Sequence, residues 1–170
     1  MTEEDDVPPA PESLGLLSTR APAIVRKASE TLLARFEEHG YNPTPVIDLG
    51  VIVAAADGEI DDAEIRALRS VVGTLLGAQF RPEVVLHLVH ASNQVLKQAG
   101  VEPRIRLVAE ILRDCDAVEP GIIVALAIAL ASGLKDSERK VLSMLASAGG
   151  VPPERLDELI AQVESASKRK

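Results

Sequence analysis

Aromatic residues are nearly absent from this chain: no Trp, one Tyr and two Phe in 170 residues, or 2%. Nucleic-acid bases and sugar rings are held on aromatic faces, so that scarcity argues against such ligands. Cysteine is equally scarce. Cys115 stands alone, which excludes an internal disulfide and fits a reducing compartment. An excess of basic charge is missing too. The 18 Lys and Arg against 26 Asp and Glu leave a net charge of −8, the wrong sign for a phosphate backbone. Long hydrophobic runs are lacking. The longest, Gly121 to Ala131, falls well short of the ~20 residues of a membrane span. The first residues are acidic where a secretory leader is basic. These absences together lead to the expectation of a soluble, cytoplasmic protein that neither crosses a membrane nor binds nucleic acid.

What is present is aliphatic. Hydrophobic residues make up 46% of the chain, enough for one well-buried core at this length. No useful stretch alternates with period two, whereas apolar residues recur every three or four positions. The spacing, with its Gly and Pro punctuation, predicts helices over about 21–39, 45–56, 62–76, 82–99, 103–115, 118–132, 136–148 and 153–167. The fold class is therefore all-α, a single domain of seven to eight helices over 19–168. Residues 1–18, rich in Glu, Asp and Pro, cannot bury enough to fold alone and are expected to form a loose tail. The apolar run near 118–132 has no polar face and is predicted to be the central, most buried helix. On the 82–99 helix, Val84, Leu88, Val95 and Ala99 are expected to face inward. Glu83, His87, His90 and Gln94 then share the solvent side.

The chain reads as an internal duplication. Residues 45–100 run apolar helix, Gly turn with acids, helix, Gly, then Pro-Glu opening a helix. Residues 118–167 repeat that order. The first Gly turn, Ala54-Ala55-Ala56-Asp57-Gly58-Glu59-Ile60-Asp61-Asp62-Ala63-Glu64, carries the most concentrated chemistry. Its carboxylates have two readings. Hard divalent cations such as calcium take six to eight oxygens, and Asp57, Glu59, Asp61 and Glu64 are the candidate metal ligands. Alternatively, Asp61 and Glu64 have capping-box spacing and the remaining acids favour a helix N-terminus. The EF-hand order is not present, because Gly58 follows the first Asp directly. In the second copy Ser132 replaces Asp57, and a basic Lys135 enters the turn.

Glu83, His87 and His90 form a secondary metal candidate on one helix stripe, although a solvated face explains them as well. Cys115 sits on an apolar stripe and reads as core. Asp48 within an apolar helix and Glu119-Pro120 at a helix start are the sole hints of a buried polar site. Nucleophile elbow, Walker loop, zinc-protease, dinucleotide and di-iron signatures are all missing, so no catalytic residues are assigned and an enzyme is not expected.

The pattern Ala54-x-Ala56-Asp57-Gly58-x-Ile60-x-x-x-Glu64, with its fainter echo from Ala129 to Leu142, resembles the TerB family. That family comprises tellurite-resistance proteins and the TerB-like domains of some DnaJ-type cochaperones. The resemblance spans about residues 45–165. It implies seven or eight helices in pseudo-symmetric halves, in a bacterial, non-catalytic stress protein. Family members are thought to bind a divalent metal and to act with partner proteins near the membrane, which implies peripheral membrane association through those partners. Asp57 and Glu64 match the family's acidic positions, and Ser132 departs from the second. The competing reading is a helical protein–protein interaction adaptor without metal, in which the carboxylates only cap helices.

Overall fold

The computed structural model describes residues 22–58, 60, 62, 65, 68–69, 81–131 and 133–168. Seven helices form its framework: α1 (Ala23–Glu38), α2 (Thr44–Ala54), α3 (Pro82–Ala99), α4 (Val101–Asp114), α5 (Val118–Ala131), α6 (Asp136–Ala148) and α7 (Pro153–Lys168). No strand occurs among the described residues, and the all-α expectation holds. Of the helix expected over 62–76, Asp62, Ile65, Leu68 and Arg69 are helical. The remainder of that element lies outside the described residues, as does the 1–18 tail.

Helix α5 sits at the centre. Gly121 through Ala129 are all buried, and the helix packs against α1, α2, α4, α6 and α7. A helix with no polar face has nowhere to go but between others. Ile123 and Leu126 are buried as expected, whereas Leu130 is half-buried near the helix end. Helix α2 is the second interior element, buried from Pro45 to Val53 except at Asp48, and crosses α5 closely. A Cβ on Gly50 would approach the Ile128 side chain to 3.4 Å and that of Leu68 to 2.5 Å. Glycine therefore permits this crossing.

The outer helices each lay one stripe on this pair. Val25, Ala28, Leu32 and Phe36 serve α1; Ile105, Val108, Ala109 and Leu112 serve α4; Leu156, Leu159, Ile160 and Val163 serve α7. Three helix ends close in the same way. Tyr41 donates its N–H to the Phe36 carbonyl at 2.8 Å after Gly40, Ala117 to that of Leu112 at 2.8 Å after Asp116, and Val151 to that of Ala146 at 2.8 Å after Gly150. The pivot residues have φ of 76°, 50° and 83°, the left-handed geometry of such C-caps. Asp116 is the one non-glycine residue with positive φ among the described residues, and a short polar side chain tolerates that region. The Tyr41 hydroxyl donates to Asp114 Oδ2 at 2.8 Å, which pins the α1–α2 turn to the end of α4.

Helix α4 begins at Val101, two residues before Pro103. A proline in the first turn removes an N–H that has no intrahelical acceptor anyway. Cys115 caps the C-terminal end of α4 and is fully buried, and desolvation raises the thiol pKa above its ordinary value. Native protein should therefore react with a maleimide far more slowly than unfolded protein. Equal labelling rates would mean that the thiol is accessible.

The inward face expected for α3 is overturned at three of its four residues, and Leu88 alone packs against the core. Val85, Val89, Ser92 and Leu96 face the core, whereas Val84 and Val95 are 41% and 42% exposed, Ala99 is exposed and Leu88 is half-buried. The helix carries two apolar stripes. Each satisfies helical periodicity, so spacing alone could not say which one the core would take.

Candidate functional site

The first Gly turn grows directly out of α2. Ala55 donates to the Val51 carbonyl at 2.9 Å, Ala56 to Val53 at 3.2 Å and Gly58 to Ala55 at 3.0 Å. Gly58 then turns the chain with φ of 124°. This leaves Asp57 exposed at the tip. The second turn forms likewise after α5, with Gly133 donating to Leu130 at 3.2 Å and a φ of 85°.

The two turns meet. Lys135 Nζ donates to Asp57 Oδ2 at 3.0 Å across 78 residues of sequence. Lys135 is itself placed by the start of α6, because its backbone N–H donates to Glu138 Oε1 at 3.0 Å. Glu138 is 5% exposed. It occupies the third helical position, where a carboxylate reaching back to the N-cap N–H satisfies one of the orphan donors at the helix start. The basic residue that the sequence places inside the second turn thus bonds an acid of the first. Sequence spacing missed this pairing. Its signal was a charge of opposite sign at a duplicated turn.

The Lys135 hydrogen bond and charge hold the Asp57 carboxyl below the usual carboxylate range. Because the folded pKa is the lower one, the pair stabilises the fold above the unfolded pKa of about 4. That contribution is lost as pH falls through the folded value. Acid unfolding of Lys135→Gln should therefore depend less steeply on pH below about 4 than that of the wild type. Identical pH profiles would mean that the pair is absent in solution.

The other expected ligands of this turn, Glu59, Asp61 and Glu64, lie outside the described residues. Glu83, His87 and His90 all lie on the exposed surface of α3. Among the described residues, no three His, Cys, Asp or Glu side chains come together as a metal-holding group.

The two polar residues singled out within apolar segments are both committed to partners. Asp48 Oδ1 accepts from Ser92 Oγ at 2.6 Å and pairs with Arg104 at 2.9 Å. This knot joins α2, α3 and α4. Glu119 accepts from Arg155 Nη2 at 2.7 Å and from Arg155 Nε at 3.2 Å. The same guanidinium donates to Glu158 at 2.9 Å, so the start of α7 is tied to that of α5. The charge-assisted bonds from Glu119 and then Glu158 push the Arg155 pKa further up. Among the described residues, no buried side-chain N or O atom lacks a hydrogen-bond partner.

Two open clefts flank these elements. One, of about 490 Å³, lies between Arg113, Asp116, Glu119, Gly149 and Val151. The other, of about 690 Å³, lies between Leu33, Phe36, Tyr41 and Pro43, with Glu30 and Glu37 on its wall. Neither brings together a nucleophile and a base. Compared with known protein families, curated proteins and solved structures, the chain matches none.

Proposed function

We propose that this chain is a non-catalytic, TerB-like helical scaffold that acts in the bacterial cytoplasm through protein partners. Its duplicated halves are joined at their two Gly turns, and Lys135 is the counter-ion of the acidic turn. The 3.0 Å contact between Lys135 and Asp57 carries this reading, because a cation already supplied by the chain answers the acid at the tip. Several further features support it. The isolated polar residues Asp48 and Glu119 are used as struts between helices. Helices α2 and α5 are both apolar and both end in a Gly turn. Helices α3 and α7 both open on Pro-Glu. The stress- and tellurite-linked role implied by the family resemblance belongs to this reading, with partners docking near the membrane.

The second reading, a divalent cation such as calcium at the turn, is favoured by the density of carboxylates at Asp57, Glu59, Asp61, Asp62 and Glu64. Melting curves in calcium, magnesium and zinc separate the two. A cation present at a hundred times its dissociation constant would stabilise the fold by about 2.7 kcal/mol. At this chain length that corresponds to a rise of roughly 5–10 °C. The scaffold reading expects no such rise for the wild type. A rise of that size would give the turn to a metal.

A further inference from the structure

We propose that residues 13–19 of this chain run back along α1 and seat Leu14 and Leu16 in the cleft between α1 and the turn that follows it. Leu33, Phe36, Tyr41 and Pro43 supply the apolar lining of this cleft of about 690 Å³, a size within the ~300–1,000 Å³ of ordinary binding pockets. Phe36 is buried at its base, whereas Leu33, Tyr41 and Pro43 each keep part of their surface open. Apolar surface left open in a hollow of that size favours an apolar occupant.

Reach, composition and charge name the occupant. Leu14, Leu16 and Leu17 fall within four residues and are the one cluster of large apolar side chains in residues 1–18. A segment that served only to solubilise would have no use for them. The chain enters α1 at Pro22. From Ala23, Leu33 lies about 15 Å and Phe36 about 20 Å along the helix axis. An extended chain running back from Pro22 spans up to about 17 Å at Leu17 and about 28 Å at Leu14. With one or two residues spent on reversing direction, Leu16 still comes level with Leu33 and Leu14 with Phe36. Being two apart, Leu14 and Leu16 share one side of an extended segment. Charge agrees. Glu30 and Glu37 stand on the cleft wall, and no Lys or Arg lines it among the described residues. Residues 13–19 are uncharged, and Arg20, between them and α1, is opposite in sign to both glutamates. Glu12 and the acids at 3–6 then come out beyond the cleft. A tether this short gives the segment an effective concentration of about millimolar, so weak apolar contacts suffice to keep the cleft covered.

Tyr41 is the only tyrosine and the chain has no Trp, so its intrinsic fluorescence reports on this cleft alone. Acrylamide quenching of the full chain tests the docking, with circular dichroism confirming that each variant is folded. Removing residues 1–21 should raise the quenching constant severalfold, and Leu14→Ser with Leu16→Ser should raise it as far. Replacing Glu3, Glu4, Asp5 and Asp6 by Ser should leave it at the wild-type value. A peptide of residues 12–21, added to the truncated chain at about millimolar concentration, should restore the protection. Equal quenching of Tyr41 in the wild type and the truncated chain would overturn the docking. So would a loss of protection as complete with the acids replaced as with the leucines replaced. Protection that survives truncation and vanishes on dilution would overturn it as well, and would give the cleft to a second copy of the chain.

Discussion

Leu126→Ala is expected to lower stability by about 2–5 kcal/mol, the range for truncating a fully buried leucine in a close-packed core. Leu126 has no exposed surface. It sits midway along α5, which is enclosed by α1, α2, α4, α6 and α7. The positions along the same helix from Gly121 to Ala129 are buried as well. At this chain length the loss corresponds to a fall of roughly 4–20 °C in Tm. Urea unfolding should report a lower midpoint with an unchanged slope. A loss well under 1 kcal/mol would mean that α5 is not the centre of the core.

Arg104→Ala is expected to cost about 1–3 kcal/mol. Its side chain and that of Asp48 are only 15% and 21% exposed. Removing the guanidinium strands a carboxylate in an apolar helix with one hydroxyl, Ser92, left to answer it. A fully buried pair broken this way costs about 3–5 kcal/mol, and the residual exposure of Asp48 reduces that figure. The combined change Asp48→Leu with Arg104→Met should return to within about 1 kcal/mol of the wild type, since an apolar pair needs no partner. If both variants were equally damaged, the knot would matter for its shape rather than its charge. A functional test of the same pair of variants would show whether Asp48 does anything beyond joining α2, α3 and α4.

Most of the helix framework was legible because glycine and proline punctuate it. Gly40, Gly100 and Gly149 follow three of the helices, and Pro82 and Pro153 open two more. The observed bounds of the seven helices agree with the spacing to within about two residues, which is the ordinary ambiguity of helix ends. The stripes on α1, α4 and α7 were legible because each carries one apolar face. Helix α3 was not, because it carries two, and its packing against α2 and α4 buries Val85, Val89 and Leu96 and leaves Val84 and Val95 exposed. The candidate site was half legible. Asp57 stands out as the acid of a glycine turn, yet the residue that answers it is 78 positions away. No local rule relates two turns across that distance. Only the folding of α2 against α5 brings their ends together.

The central claim is that Lys135 fills the role of a cation at the acidic turn. Calorimetric calcium titration of the wild type beside Lys135→Gln tests it most directly. The Lys135 ammonium stands 3.0 Å from Asp57 Oδ2 and would repel a divalent ion at the same carboxylate. Removing the ammonium should therefore strengthen calcium binding by roughly tenfold or more, from a wild type that binds little or none. Tight calcium binding by the wild type, unaltered in Lys135→Gln, would contradict the account.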